Sequence, residues 1–405
     1  MKFGVRILKP LSFLSFALLM IPAIAFGQNY KQTNLVSDLT GMAPTIDPNL
    51  KNPWGLTRSA TSPWWVANNN SGTSTLYTAA GAIVPLNGDG FVTVPPPGFA
   101  PGTQSAPTGI VFNGSATDFL VAPGGAAAHF IFDTEDGTIS AWATGKNAVL
   151  EVDNSENGSA HGAVYKGATS GEIDGHKFLY VTNFRSGKVE VYDTNFKRVR
   201  LEYDAFNPNA DDDHDRDHDG DRDHDRDRDR RDDHDRRDDH DADRVPEGFA
   251  PFNIQNIGGS LFVTYAKQDG PRHDPVGGAG FGYVEIFTLE GKHIGHLEHG
   301  DWMNAPWGVV WTTRDFGGFA NAILVGNFRG GQIAAFNGFT HKFIGFVENP
   351  DNSVMSIPGL WALTFANDGT AGTANTLFFT AGINDENDGL FGTITPVNGL
   401  DGSVE

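Results

Sequence analysis

The sequence lacks the residues and motifs on which several classes of protein depend. No cysteine occurs among its 405 residues, which excludes a disulfide framework and a thiolate metal site. It contains no G-x-S-x-G, H-E-x-x-H or phosphate-binding loop, the motifs of several hydrolase and nucleotide-binding classes. No basic stripe offsets the formal net charge of −21, so nucleic-acid binding is not expected. These absences favour a non-enzymatic protein without excluding catalysis.

Long apolar runs are also scarce, and the clearest one lies at the N-terminus. Residues 11–24 are mostly apolar, follow Lys2, Arg6 and Lys9, and precede small residues at Ala25 and Gly27. This order is typical of a secretory signal peptide, and the run is short for a membrane-spanning helix. We predict that residues 1–27 are removed and that the mature chain is secreted or periplasmic, with no transmembrane segment.

Glycine and proline, by contrast, are plentiful and mark a repeat. The 50 Gly and 22 Pro suit short strands joined by tight turns. A turn followed by a short apolar strand recurs six times, at intervals of 54, 53, 91, 55 and 52 residues. The turns begin at Pro53, Pro107, Ala160, Pro251, Pro306 and Pro358. Removing an insert of roughly 35 residues from the long interval restores the period.

Each repeat predicts four short strands, as in a β-propeller blade. The second strand is strongly β-prone, as in Trp64-Trp-Val-Ala, and the third alternates, as in Lys188-Val-Glu-Val-Tyr. The sixth repeat shows only three strands, and the unassigned segment Tyr30-Lys-Gln-Thr-Asn-Leu-Val can supply the fourth. We therefore predict an all-β, six-bladed β-propeller over residues 28–405, closed by its N-terminal strand and monomeric.

Several longer motifs carry a family resemblance. They include Asp47-Pro-Asn-Leu-Lys-Asn-Pro-Trp-Gly-Leu, Phe249-Ala-Pro-Phe-Asn-Ile-Gln-Asn-Ile-Gly-Gly and Asn304-Ala-Pro-Trp-Gly-Val. Together they resemble an uncharacterised bacterial family of secreted β-propellers, and Tyr180-Val-Thr-Asn-Phe is distantly similar to the repeat of YVTN/NHL-type propellers. The resemblance covers nearly the whole mature chain and implies the fold, but it implies no particular activity.

The candidate site is the mouth of the central channel. The first strand of each blade is expected to line this channel, and two sets of turns share one face of the ring. That face is expected to carry Trp54, His161, Asn183, Arg185, Trp307, Asn327, Arg329, Trp361, Asp385 and Glu386. Aromatic rings beside amide, guanidinium and carboxylate groups suit a small polar ligand. In the alternative reading the aromatic rings seal blade junctions and the Asn side chains serve turns.

A low-complexity insert is predicted at residues 208–245. Residues 211–243 hold 18 Asp and 8 Arg, and therefore about half of the net charge. Because they offer almost no apolar surface to bury, we predict that the insert is disordered. Its candidate ligands for Ca²⁺ or another divalent cation are Asp215, Asp217, Asp219, Asp221, His214 and His218. The alternative is a plain solvated insert.

We interpret the chain as an extracytoplasmic binding or interaction module for a small polar ligand, a glycan or a protein. The alternative is a metal-assisted hydrolase or lactonase that acts at the channel mouth. Carboxylates converging on one channel cation would favour the enzyme, whereas an aromatic and Asn-lined mouth without such a cluster would favour binding. A third possibility is that the propeller only carries the acidic insert. Beyond a divalent cation, no cofactor is predicted.

Overall fold

The computed structural model describes residues 29–397 except residues 87, 89, 123 and 210–243. These residues form 25 β-strands and no α-helix. They also form three short 3₁₀ helices, η1 (Asn69–Ser71), η2 (Glu156–Gly158) and η3 (Gly317–Phe319). No helix in this part of the chain is long and apolar enough to cross a membrane. The predicted signal peptide and the insert's candidate metal ligands lie outside the described residues and stay predictions.

The first three blades are given from the inner to the outer strand. Blade 1 contains β3 (Pro53–Thr57), β4 (Trp64–Asn68), β5 (Thr73–Tyr77) and β6 (Phe91–Thr93). Blade 2 contains β7 (Pro107–Phe112), β8 (Phe130–Thr134), β9 (Thr138–Trp142) and β10 (Val149–Asp153). Blade 3 contains β11 (Tyr165–Ile173), β12 (His176–Asn183) and β13 (Lys188–Tyr192). In blade 3 the fourth strand is reduced to a single bridge between Tyr192 and Arg198.

The other three blades follow the same antiparallel plan. Blade 4 contains β14 (Phe249–Ile257), β15 (Ser260–Gln268), β17 (Gly282–Phe287) and β18 (His293–His296), with β16 (Pro275–Val276) paired to β15. Blade 5 contains β19 (Pro306–Trp311), β20 (Ala322–Asn327), β21 (Ile333–Asn337) and β22 (Phe343–Phe346). Blade 6 contains β23 (Leu360–Phe365), β24 (Leu377–Ile383), β25 (Asp388–Pro396) and β1 (Tyr30–Ser37), with β2 (Thr45–Ile46) parallel to β1.

The N-terminal strand closes the ring. β1 pairs antiparallel with β25, from Tyr30 opposite Pro396 to Ser37 opposite Leu390. Tyr30 also reaches blade 5, where its hydroxyl donates to the Phe316 carbonyl and accepts the Phe319 N–H, both at 3.0 Å. The predicted six-bladed propeller, closed by its N-terminal strand, is thus confirmed.

Apolar side chains are buried between neighbouring blades. One cluster lies between each adjacent pair, and the cluster between blades 6 and 1 continues to the axis. Because neighbours cover both faces of a blade, its second strand is an apolar run without polar alternation. In β20, for example, all six positions are buried.

The two described ends of the insert are held together. The Nδ2 of Asn209 donates to the Val245 carbonyl at 3.1 Å, and its Oδ1 accepts the Val245 N–H at 3.2 Å. Phe206 and Val245 are buried in the cluster between blades 3 and 4. The chain therefore leaves and re-enters the propeller at one point.

Candidate functional site at the channel mouth

Every inner strand carries a β-bulge near its start. In blade 1 the pairing register shifts between Pro53 and Leu56, and it shifts at the equivalent place in the other five blades. A bulge adds an unpaired residue and re-aims its side chain. The residues at the bulges, called ring residues here, are Trp54, Thr108, Lys166, Phe252, Trp307 and Trp361.

Four of the six ring residues are aromatic, and their side chains meet on the channel axis. Trp54 and Phe252 come from opposite blades, yet their ring centroids are 6.4 Å apart. Trp361 stacks on Phe328 at 3.9 Å and lies edge-on to Trp307 at 5.9 Å. None of these five side chains is more than 4% exposed. They form a plug on the axis, so the three tryptophan rings are buried against their neighbours and do not surround an open mouth.

The plug separates two different spaces. On one side, the channel continues as a cavity of about 290 Å³ whose lining residues carry no charge. On the other side lies the mouth, where charged side chains converge. The charged groups along the channel therefore lie at the mouth.

The ring residue of blade 3 is a buried lysine. The Lys166 side chain is fully buried, and its Nζ lies 5.2 Å from the centroid of the Trp54 ring. It forms ion pairs with Glu135 and with Asp274, the second at 3.4 Å. The Nδ2 of Asn69 donates to the second oxygen of Glu135 at 2.7 Å. A buried ammonium needs such partners to compensate for lost hydration.

A histidine extends this network outward. His273 Nδ1 lies 3.0 Å from Asp274 Oδ1. This contact favours the charged form of each partner, so it raises the pKa of His273 and lowers the pKa of Asp274. One ligand atom from each of Glu135, His273 and Asp274 lies within 4.8 Å of the other two, which is compatible with one metal ion.

Glu386 enters the mouth from the turn between β24 and β25. The Nδ2 of Asn52 donates to its carboxylate at 3.0 Å. Burial raises the pKa of the Glu386 carboxyl, and the negative charge of Glu135 acts in the same direction. Lys166 opposes the effect, which shows that charges from blades 2, 3 and 6 act on one another across the mouth.

The backbone of this turn is strained. Asn384, Asp385 and Glu386 have φ angles of 53°, 52° and 67°. Consecutive left-handed residues without a glycine are uncommon, and such strain concentrates where side chains are held for function. The turn thus fixes two carboxylates at the mouth at a cost in backbone energy.

A second cavity opens beside this turn. It measures about 270 Å³, and its lining includes Arg329, Asp385 and Glu386. The guanidinium carbon of Arg329 lies 4.5 Å from the centroid of the Phe328 ring. A Cβ placed on Gly277 would come within 2.9 Å of the Arg329 stem. The side chain is therefore confined, with its guanidinium over the Phe328 ring and its stem against this glycine.

Several predicted site residues serve the fold. Trp54, Trp307 and Trp361 belong to the plug. Asn183 donates to the buried Glu190 at 2.9 Å, Asn327 donates to the Trp302 carbonyl at 2.9 Å, and Arg185 donates to the Gly162 carbonyl at 2.8 Å. Of the ten residues, Arg329, Asp385 and Glu386 are the ones that line the cavity at the mouth.

The structure corrects the position of His161. It lies exposed in the loop before β11, where its N–H donates to the Ser159 hydroxyl at 3.2 Å. The sequence Ala160-His-Gly-Ala imitates the Pro-Trp-Gly turns of other repeats, but the bulge follows Tyr165. Lys166 therefore takes the ring position that was predicted for His161.

Sequence reasoning also missed Glu135, Lys166, His273 and Asp274. Tyr165-Lys-Gly carries the available signal, since a bulky residue and a glycine flank the ring position as in Pro306-Trp-Gly. Glu135 follows Thr134, the residue paired with the start of its inner strand, and Phe328 follows Asn327 in the same way. His273 and Asp274 lie in a loop without a repeat counterpart, so no spacing could identify them.

Comparisons with known proteins assign no activity to the chain. No family model matches the chain. An uncharacterised protein of Acanthamoeba polyphaga mimivirus is 29% identical over 372 residues, which cover 90% of this chain and 80% of the relative. A second from the same virus is 26% identical over 380 residues, with 90% and 85% covered. These relatives are viral, so the bacterial assignment of the resemblance is not confirmed.

Solved structures with a similar fold include two lyases. A streptogramin B lyase has a TM-score of 0.43 and 13% identity, with 90% of this chain and 97% of that chain covered. A catalytically inactive virginiamycin B lyase from Staphylococcus aureus with quinupristin has a TM-score of 0.46 and 11% identity, with 91% and 99% covered. At these values the lyases assign no activity, and the β-propeller architecture rests on this chain's own strands.

Proposed function

We propose that this protein is a binding module that holds a small acidic ligand at the channel mouth. The observation that carries the proposal is the half-buried Arg329, which lines one cavity with Asp385 and Glu386. A guanidinium binds a carboxylate or phosphate through two parallel hydrogen bonds. The two carboxylates can accept hydroxyl or amine donors from the same ligand.

Two features support Arg329 as the anchor. Among the described residues its guanidinium has no hydrogen bond or ion pair, although those of Arg58 and Arg185 donate to backbone carbonyls. Its guanidinium lies over the Phe328 ring and its stem is close to Gly277, so little side-chain freedom is left to lose on binding. Pre-organisation of this kind favours affinity.

A metal-assisted hydrolase is the second candidate, because Glu135, His273 and Asp274 could reach one ion. The Lys166 ammonium opposes it, since it forms ion pairs with both carboxylates of that group. A cation at this position would be repelled by the ammonium and would have to displace it. Lys166 thus supplies the positive charge that the hydrolase alternative assigns to a metal.

A thermal-shift panel tests the binding proposal, with L-glutamate, gluconate and citrate as acidic probes and glucose as the neutral probe. We expect acidic probes to raise the melting temperature and glucose to leave it unchanged. Arg329→Gln should weaken binding of the responding probe by about tenfold or more in calorimetry. Arg314→Gln is the matched control, because that side chain is 85% exposed in the same blade. Equal binding by both variants, or no response to any acidic probe, would contradict the proposal.

The proposal includes an extracytoplasmic location. Its support is the positive, apolar and small-residue order of residues 1–27. N-terminal sequencing of protein recovered from cell fractions tests it, with a new terminus at residue 26 or 28 outside the cytoplasm as the expected result. Recovery of the protein in the cytoplasm with Met1 intact would contradict it.

A further inference from the structure

The outer edge of blade 4 carries a second cluster of possible metal ligands. It consists of Glu285 on β17 and of His293 and His296 on β18. One ligand atom from each lies within 4.8 Å of the others, and His293 Nε2 is 2.8 Å from a Glu285 oxygen. Glu285 is buried, whereas both histidines are partly exposed. The cluster is thus built into the sheet and open to solvent on one side.

A β-bulge brings the two histidines to the same face. Residues three apart in a regular strand point to opposite faces. Here Glu285 pairs with His296, and Phe287 pairs with His293, because the register shifts between them. Residues directly opposite in a ladder share a face, so both imidazoles lie on the face of Glu285. Gly295, with a φ of 153°, permits the bulge.

Blade 5 provides an internal comparison. β22 has the same bulge, with Gly345 at a φ of 144°, and Ala334 and Phe336 pair with Phe346 and Phe343. The trio equivalent to Glu285, His293 and His296 is therefore Ala334, Phe343 and Phe346. The sheet and its bulge form with apolar side chains alone, so neither requires a carboxylate and two imidazoles.

Blade 3 contains a buried glutamate whose partners are hydrogen-bond donors. Glu190 pairs with Val181 as Glu285 pairs with Val263. Its carboxylate accepts the hydroxyls of Tyr165 and Tyr192, and Arg198 lies at 3.2 Å. Those partners act as hydrogen-bond donors, and the Arg198 guanidinium has no electron pair to offer a cation. Neutral imidazoles, by contrast, offer electron pairs to a metal.

We propose that Glu285, His293 and His296 bind a divalent transition-metal ion of the Zn²⁺ class. Two imidazoles and one carboxylate are a frequent protein ligand set for zinc, with a further position left for water or another ligand. Imidazole selects Zn²⁺ and similar ions over Ca²⁺ and Mg²⁺. The site is independent of the binding proposed at the channel mouth.

The test is Zn²⁺ and Co²⁺ titration of the full mature chain and of variants that retain the acidic insert. The wild type should bind one tight equivalent, and Co²⁺ should give the intense visible absorption of a four- or five-coordinate site. His293→Gln/His296→Gln should lose the Co²⁺ bands and weaken the tight Zn²⁺ equivalent by about 100-fold or more. His129→Gln, an exposed histidine in blade 2, should behave as the wild type.

A second variant separates loss of metal from loss of fold. Glu285→Ala/His293→Phe/His296→Phe copies the trio of blade 5 and should fold without the tight equivalent. Zn²⁺ should raise the melting temperature of the wild type and leave this variant unchanged. The proposal would be overturned if all variants kept the tight equivalent, because the ion would then bind elsewhere, or if the wild type had none.

Discussion

At the scale of single residues, Lys166 shows how this propeller handles a charge on its axis. Five ring positions hold aromatic side chains or threonine, and one holds an ammonium that is fully buried. Its partner Glu135 is only 13% exposed, so each charge depends on the other for compensation. A buried pair contributes little net stability, but breaking it is costly.

Replacing Lys166 alone should therefore destabilise the protein much more than replacing Lys166 and Glu135 together. We expect Lys166→Met to lower the free energy of unfolding by about 3–5 kcal/mol, because it leaves the largely buried Glu135 charge without its ion-pair partner. The double variant Lys166→Met/Glu135→Gln should recover most of the loss. Denaturant unfolding of the four combinations measures the coupling, and additive losses would show that the pair does not act as a unit.

Asp133 should make stability depend on pH. This carboxyl is fully buried beside Thr108, whose hydroxyl donates to it at 2.9 Å, and burial raises its pKa to about 7. Between the unfolded value of about 4 and this value, the folded protein keeps a proton that the unfolded chain releases. The free energy of unfolding should therefore fall as the pH rises, by up to about 1.4 kcal/mol per unit.

Asp133→Asn is the variant that tests this slope, because an amide keeps an acceptor for Thr108 and cannot ionise. Unfolding is measured at several pH values between 4.5 and 6.5. The free energy of unfolding of the variant should rise relative to that of the wild type as the pH rises. Parallel curves for the two proteins would mean that Asp133 is not the group that titrates.

At the scale of elements, the start of each inner strand positions the site. The bulge turns one side chain to the axis. The backbone of the next blade then packs closely against the residue that follows the bulge. A Cβ on Gly55 would lie 2.5 Å from the Thr108 carbonyl oxygen, and a Cβ on Gly308 would lie 2.5 Å from that of Trp361. The glycine of the Pro-Trp-Gly turns is thus required by packing between backbones.

Gly308→Ala should lower the free energy of unfolding by about 1–3 kcal/mol, because the backbone of blade 6 must shift to admit a methyl group. Gly270→Ala is the control, since a Cβ there meets nothing within 4 Å, and its effect should stay within about 0.5 kcal/mol. Similar losses in both variants would contradict a specific effect of close approach at Gly308, because Gly→Ala by itself restricts the unfolded chain and favours folding.

The same elements explain what the sequence could and could not predict. The repeat of turns and apolar strands was sufficient to predict the number of blades and closure of the ring by β1, because each blade must bury both of its faces. The ring register failed in blade 3, since Tyr165-Lys-Gly lacks the proline that marks the turn elsewhere. The alternative reading allowed a structural role for the Trp and Asn candidates, but the sequence could not choose between the two readings, because a bulge decides which side chains reach the axis.

At the scale of the whole molecule, ring closure depends on a strand that is remote in sequence from its partner. Tyr30 and Val36 of β1 are fully buried, and the Tyr30 hydroxyl joins blade 6 to a loop of blade 5. Without β1, the edge of β25 would be exposed and would become a template for pairing between chains.

Deleting residues 28–40 should therefore destabilise the entire ring. We expect the free energy of unfolding to fall by at least about 3 kcal/mol, because two buried apolar side chains and the hydrogen bonds between β1 and β25 are lost. Unfolding should remain a single transition, and light scattering should detect association. A truncated protein that is as stable as the full chain and no more associated would contradict this role.

Deleting residues 210–243 should have little effect, because Asn209 and Val245 already hold the ends together. The closure entropy of a long loop rises slowly with its length, so the melting temperature should change by no more than about 3 °C. Calorimetry of the two forms measures the difference. A large loss would show that the deleted segment packs against the propeller.

The hydrogen bond from the Val397 N–H to the Asn29 carbonyl, at 2.9 Å, places the described ends side by side, just as Asn209 places the ends of the insert. A ring with two such junctions has no structurally privileged starting point. A circular permutant that begins at Arg244, ends at Asn209 and joins Val397 to Asn29 through a short linker would preserve all six blades. The permutant would move the chain ends from blade 6 to the boundary of blades 3 and 4. The closing strand β1 would then lie in the interior of the sequence, directly after β25.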